Sequence, residues 1–239
     1  MSRFTTTITE KKKNTPPKGI AVAILSAGIG NRIKSYEPRS LLKLRGSYLI
    51  DNQIDVIKEC FHEPEIISVL GYDTKRIIKK SENKLRVVEN QLYDQTNSSE
   101  SLRLAVNNCE TESFMFLHGD LLFNKQTLKN SYKKSFIIVD NNGLFKDSEV
   151  GVTTTDLGNG RKQASIMSYG LDCKWGQIAY FTGDEFKMLK SITSRMQFKD
   201  KKMLSFEIIN KVIQMGGVFE CLEPDNMVII EIDRIKDIR

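Results

Sequence analysis

Histidine occurs only twice in these 239 residues, as His62 and His118, and that scarcity argues against a transition-metal centre built on imidazole. Cysteine is sparse as well. Cys60, Cys109, Cys173 and Cys221 stand far apart, without the close pairs of zinc sites or thioredoxin-like motifs, so free reduced thiols are expected. No stretch approaches the roughly 20 consecutive apolar residues that span a bilayer, and the first residues lack the apolar run of a secretory signal. A cytoplasmic protein with no membrane insertion is therefore expected, and any metal it uses should be a hard ion held by carboxylates.

A broad excess of one charge is missing too. The formal net charge is +6, but residues 1–18 carry +4 of it, with Arg3, Lys11, Lys12, Lys13 and Lys18 against Glu10. The +2 left to the rest is too small for a surface devoted to a polyanion, so nucleic acid is not an expected partner. Threonines, a lysine run and Pro16-Pro17 give residues 1–18 the composition of a disordered basic tail, and residues 19–239 are expected to form one folded domain.

What is present is alternation. From Ile20 onward, short apolar runs take turns with amphipathic segments, which predicts an α/β, Rossmann-like single domain with a mixed, mostly parallel central sheet flanked by helices. Strands are predicted at 21–25, 66–70, 85–89, 114–118 and 136–139, and helices at 50–60, 73–80 and 98–108. Further strands at 150–155, 164–167 and 177–181, with a turn at Gly158-Asn159-Gly160, should extend the sheet and wall a pocket. Thr182 followed by Glu185 matches a capping box at a helix start. A second amphipathic helix spans 203–215 up to Gly216-Gly217, and strands follow at 218–222 and 227–232.

Residues 25–32 read LSAGIGNR, a turn of small residues directly after a buried strand. Glycine lets backbone N–H groups approach a polyphosphate, so Leu25, Ser26, Ala27, Gly28 and Gly30 are candidate nucleotide-binding positions. A dinucleotide fingerprint would need a small residue where Ile33 stands, and a Walker loop would need Gly-Lys-Ser or Gly-Lys-Thr, which is absent. Arg32 and Arg39, within and just beyond the loop, are the cations available to stabilise negative charge there.

Carboxylates occur where the ends of strands are predicted. The run 114–118 delivers Gly119-Asp120 at its C-terminal end, where open α/β sheets carry their ligands. Residues 227–233, MVIIEID, place Glu231 and Asp233 two apart on an apolar strand, hence on one face, so both could converge with Asp120 on a Mg²⁺ ion. Asp233 could instead cap a helix starting at Arg234.

Residues 23–53, AILSAGIGNRIKSYEPRSLLKLRGSYLIDNQ, resemble the signature of the nucleotidyltransferase superfamily, the sugar-phosphate and MobA-like enzymes. Gly28, Gly30 and Arg32 match that family's loop, and Gly46 and Leu49 match its following hairpin. Ser26 replaces an alanine, and Arg39 stands where a phosphate-binding lysine is usual. The layout is closest to the phosphocholine cytidylyltransferase type, which ends in a similar Glu-Ile-Asp and a later Asp, here Glu231-Ile232-Asp233 and Asp237. The resemblance also implies that Asn97 and Ser101 lie near the nucleotide. Asn97 followed by Glu100 fits a helix N-cap as well.

These readings converge on transfer of a nucleoside monophosphate from a nucleoside triphosphate to a phosphorylated small molecule, with Mg²⁺ on Asp120, Glu231 and Asp233, and with Arg32 and Arg39 as the charge-stabilising catalytic residues. Two rivals stay open. A nucleotide-sugar-dependent glycosyltransferase would normally present Asp-x-Asp, where this chain has Gly119-Asp120-Leu121-Leu122. A non-catalytic nucleotide-binding protein of the same fold is suggested by Arg39. Trp175 is expected in the core, although a cation-binding role would suit a choline-like substrate.

Overall fold

The computed structural model describes residues 19–29, 37–44, 46–141 and 149–232. The expected tail at 1–18, and Gly30, Arg32, Asp233 and Asp237, lie outside the described residues.

Strand β1 (Ile20–Ser26) is apolar and buried through Leu25. Such a run needs cover on both faces, and its alternation provides for that. Ile20, Val22 and Ile24 join one core cluster, while Ala21, Ala23 and Leu25 join the other. A small antiparallel hairpin of β2 (Lys43–Leu44) and β3 (Ser47–Tyr48) leads into α1 (Leu49–Cys60). The helix lays Ile50, Ile54 and Ile57, at helical spacing, into the first cluster. The chain then steps outward through β4 (Glu65–Leu70), α2 (Thr74–Lys80) and β5 (Val87–Glu89). Helix α3 (Ser98–Asn107) returns across the opposite face, where Leu102, Ala105 and Val106 join the cluster of Ala21, Ala23 and Leu25. It leads to β6 (Ser113–His118), on the far side of β1.

A turn at Gly119-Asp120 and the short β7 (Leu121–Phe123) follow, then β8 (Phe136–Asp140), β9 (Val150–Gly158), β10 (Arg161–Tyr169) and β11 (Cys173–Thr182). Helices α4 (Gly183–Ser194) and α5 (Ser205–Gln214) add to the α3 face, and β12 (Glu220–Leu222) and β13 (Ile229–Glu231) end the described chain. Among the described residues the main sheet has the order β5-β4-β1-β6-β11-β8-β12-β10-β9. It is parallel from β5 to β6, β11 runs antiparallel to β6 and β8, β8 pairs parallel with β12, and β12-β10-β9 is antiparallel. The result is the expected mixed sheet between two helical layers, with the parallel half first in sequence. No helix among the described residues is long and apolar enough to cross a membrane.

Three local expectations are corrected. The run 227–232 is not a strand of the main sheet: β13 is short and pairs antiparallel with β7 in a separate ribbon. Its alternate residues Val228 and Ile230 are 44% and 40% exposed, so this apolar run is covered on one face only. Thr182 precedes α4 without a side-chain cap, because Glu185 accepts instead from the hydroxyl of buried Ser135 (3.1 Å) and from the Val218 N–H (3.0 Å). Asn97 likewise stands at the N-cap of α3 without capping it; its amide donates to the Lys202 carbonyl at 2.6 Å.

Candidate active site

The strand order reverses between β1 and β6, since the chain first builds outward from β1 to β5 and then returns to its other side. A crevice opens at the C-terminal ends of such strands. The turn after β6 is built to stand there. Gly119 donates its N–H to the Leu25 carbonyl (2.9 Å), and a Cβ on it would lie 2.4 Å from the Ser26 Cβ, so a side chain has no room. Gln53, buried on α1, donates to the carbonyls of His118 (3.0 Å) and Leu121 (2.7 Å), clamping both sides of the turn. The Ile232 N–H donates to the Asp120 carbonyl at 2.8 Å.

A cavity of about 560 Å³ occupies the crevice. Leu25, Ser26, Ala27, Gly28, Arg39, Asn97, Ser101 and Asp120 line it, so eight of the expected site residues share one space. Ser26 Oγ lies 3.1 Å from Ser40 Oγ, which ties the loop to the turn carrying Arg39. Gly28 is exposed, and a Cβ there would meet no atom of the described residues within 4 Å. Its missing side chain therefore leaves open space rather than relieving a clash.

Arg39 donates from Nη1 to Asp120 Oδ2, and both side chains are 17% exposed. The other carboxylate oxygen, Oδ1, is buried and has no hydrogen-bond partner among the described residues. A buried anionic oxygen without a donor is costly. A hard cation is the group that would compensate it, so Asp120 fits a magnesium ligand on its own geometry.

Glu231 is placed differently from the expectation. It does not line the cavity; its Oε2 accepts from Gln177 Nε2 at 2.7 Å. His118 Nε2 lies 2.9 Å from Ser205 Oγ. Burial pushes the His118 imidazole below its ordinary value; the Asp120 carboxylate and the Gln177 amide oppose that shift, and Arg39 adds to it. Among the described residues no three His, Cys, Asp or Glu side chains are grouped to hold a metal.

Sequence reasoning missed the segment between β5 and α3. Asn90, buried, accepts from the Leu92 N–H (3.1 Å) and donates to Thr96 Oγ1 (3.2 Å), folding a loop that presents Tyr93, Asp94 and Thr96 to the cavity. Gly71 makes room for it: a Cβ there would fall 2.6 Å from the Tyr93 Cβ and 2.7 Å from the Ala27 carbonyl oxygen. A lone asparagine after a short strand was the available signal, and it is a weak one. Trp175 is core, 2% exposed, donating to the Ile178 carbonyl and set edge-on to His118 and Phe116.

The model of the MobA-like NTP transferase domain matches residues 22–156, more than half of the chain. No curated protein sequence matches. Among solved structures, CTP:phosphocholine cytidylyltransferase from Streptococcus pneumoniae superposes with a TM-score of 0.72 at 19% identity, over 92% of this chain and 96% of that one. The inositol-1-phosphate CTP transferase from T. maritima gives 0.73 at 16%, over 93% and 92%. UDP-glucose pyrophosphorylase complexed with UDP-glucose gives 0.68 at 14%, over 92% and 95%. At these identities the likeness is one of fold.

Proposed function

The chain belongs to the MobA-like NTP transferase family, a family of nucleotidyltransferases, and we propose that it uses magnesium to transfer a nucleoside monophosphate from a triphosphate to a phosphorylated small molecule. A sugar 1-phosphate, phosphocholine or a similar phosphoester is the acceptor class. The observation that carries this reading is Asp120, whose Oδ1 is buried with no hydrogen-bond partner among the described residues, in a cavity that Gly28 and Arg39 also line. Free thiols at all four cysteines suit a reducing compartment, and we assign the protein to the cytoplasm.

Asp120, with Glu231 and Asp233, would hold the magnesium ion, which when bound supplies charge neutralisation on the triphosphate. Leu25, Ser26, Ala27, Gly28 and Gly30 would bind the phosphates, with backbone N–H groups of the loop after β1 directed at them and no side chain at Gly28 to keep them away. Arg39, which lines the cavity, and Arg32 would stabilise the growing negative charge as α-phosphorus is attacked. The acceptor's phosphate oxygen is already ionised at neutral pH, so it attacks without a general base. One P–O bond forms at the α-phosphorus, the bond to the β-phosphate oxygen breaks, and pyrophosphate leaves with the electron pair. Asn97 and Ser101, which line the same cavity, would contact the nucleotide. Holding both substrates in line is the main service of these residues.

The test is a pyrophosphate-release screen that crosses nucleoside triphosphates with phosphorylated acceptors, with and without Mg²⁺. CTP with phosphocholine and with inositol 1-phosphate come first, because the two solved enzymes named for those pairs share this fold over more than nine-tenths of the chain. Release in at least one combination is the expected result. None in any combination sinks the proposal.

A further inference from the structure

Gln177 holds a backbone conformation that glutamine rarely takes. Its φ is +58°, inside β11, which is hydrogen-bonded to β6 on one side and β8 on the other. The register of β11 on β8 slips between Trp175 and Ala179, so Gln177 sits in a bulge. A left-handed non-glycine residue persists only when its surroundings hold it there, and such residues gather at functional sites. Gly176 admits the holding contact. A Cβ there would lie 2.9 Å from Ile229 Cδ1 and 3.1 Å from Ile138 Cγ2, so β13 is pressed down onto the bulge.

Glycine would take the same φ at position 177 without strain. The chain carries a glutamine, and its side chain has a partner: Nε2 donates to Glu231 Oε2 at 2.7 Å. His118 ends β6, two residues before Asp120, and Ile232, next after Glu231, donates its N–H to the Asp120 carbonyl. The Gln177 amide thus ties the β13 carboxylate to β11, the strand paired with β6, whose end presents Asp120.

We infer that Gln177 is a positioning residue for the metal site, its strained bulge being the means by which Glu231 is held beside the Asp120 corner. The inference rests on the reading of Asp120 and Glu231 given above. Partners that orient metal-holding carboxylates are commonly worth 10- to 100-fold in metal affinity. Removing the amide should therefore weaken cation binding while removing the strain.

The experiment uses the full chain with a non-hydrolysable triphosphate, Mn²⁺ as the probe read by electron paramagnetic resonance, and thermal unfolding alongside. Gln177→Gly is expected to unfold at or above the wild-type midpoint and to bind Mn²⁺ about tenfold more weakly. Gln177→Asn, which tolerates the left-handed backbone but is one methylene shorter, is expected to weaken Mn²⁺ binding in the same direction. A purely structural role would leave affinity tied to the unfolding midpoint, so Mn²⁺ affinity within about threefold of wild type in Gln177→Gly overturns the inference. Asp120→Asn separates the two claims. If Mn²⁺ binding survives that change, the metal reading falls and this inference with it. If binding is lost there but kept in Gln177→Gly, the inference alone falls.

Discussion

The two walls of the cavity are made in opposite ways. On the glycine-loop wall, no atom of the described residues lies near where a Gly28 Cβ would be, and Gly28 lines the cavity. On the carboxylate wall, Gly119 is wedged against Ser26, Gln53 clamps the turn from α1, and Ile232 bonds the Asp120 carbonyl. One wall is kept open for a ligand and the other is braced by the fold. Glycine therefore does two jobs here, and substitution should tell them apart.

The largest effect is expected at Asp120. Asp120→Asn should keep the fold, since the turn is held through backbone and Gln53 contacts, yet lower turnover by roughly 10²–10³-fold. Pyrophosphate release together with circular dichroism checks this, and full activity would remove Asp120 from the site. Next comes the brace. Gly119→Ala puts a methyl 2.4 Å from the Ser26 Cβ, and should cost about 1–3 kcal/mol of stability in urea unfolding. Wild-type stability would mean the wall is not braced as described.

Gly28→Ala is the matched opposite. Its stability should stay within about 0.5 kcal/mol of wild type, while triphosphate affinity falls about tenfold, or roughly 1.4 kcal/mol. Calorimetric titration with a non-hydrolysable triphosphate measures the second part, and unchanged affinity would erase the contrast between the walls.

The smallest effect concerns pH and the strands behind the braced wall. Burial pushes the Cys173 thiol up to about 11, helped chiefly by Glu223, and the Cys221 thiol up to about 12, helped by the Cys173 thiol, with Lys162 opposing both. A thiol whose pKa is raised in the fold favours the protonated, folded state. Its contribution is whole below the unfolded thiol value near about 8.5 and fades as pH climbs towards those raised values. Urea midpoints should therefore fall from pH 8 to pH 10, and a Cys173→Ala, Cys221→Ala double variant should show a shallower decline.

The fold and the site were legible to different depths. Strands β1, β4, β5, β6 and β8 and the first three helices were predicted within a residue or two, because β1, β4 and β6 are buried on both faces and α1 and α3 repeat their apolar residues at helical spacing. The second half was harder. The run at 227–232 has strand composition, but composition does not say which partner a strand takes, and this one pairs with β7, an element absent from the prediction. Thr182-Glu185 and Asn97-Glu100 both have capping patterns, and in both the side chains found distant partners instead.

By itself the sequence determined a glycine-rich turn after a buried strand, a carboxylate after another, and the alternation that makes an α/β sheet, since all three follow from local chemistry and period. That Leu25 to Gly28, Arg39, Asn97, Ser101 and Asp120 would share one cavity was decided by the tertiary structure, through the reversal of strand order at β1 and β6. So was the place of Gln177, which no spacing announces. Its role comes from a bulge in β11 against which β13 packs, where its amide meets Glu231, 54 residues further along the chain.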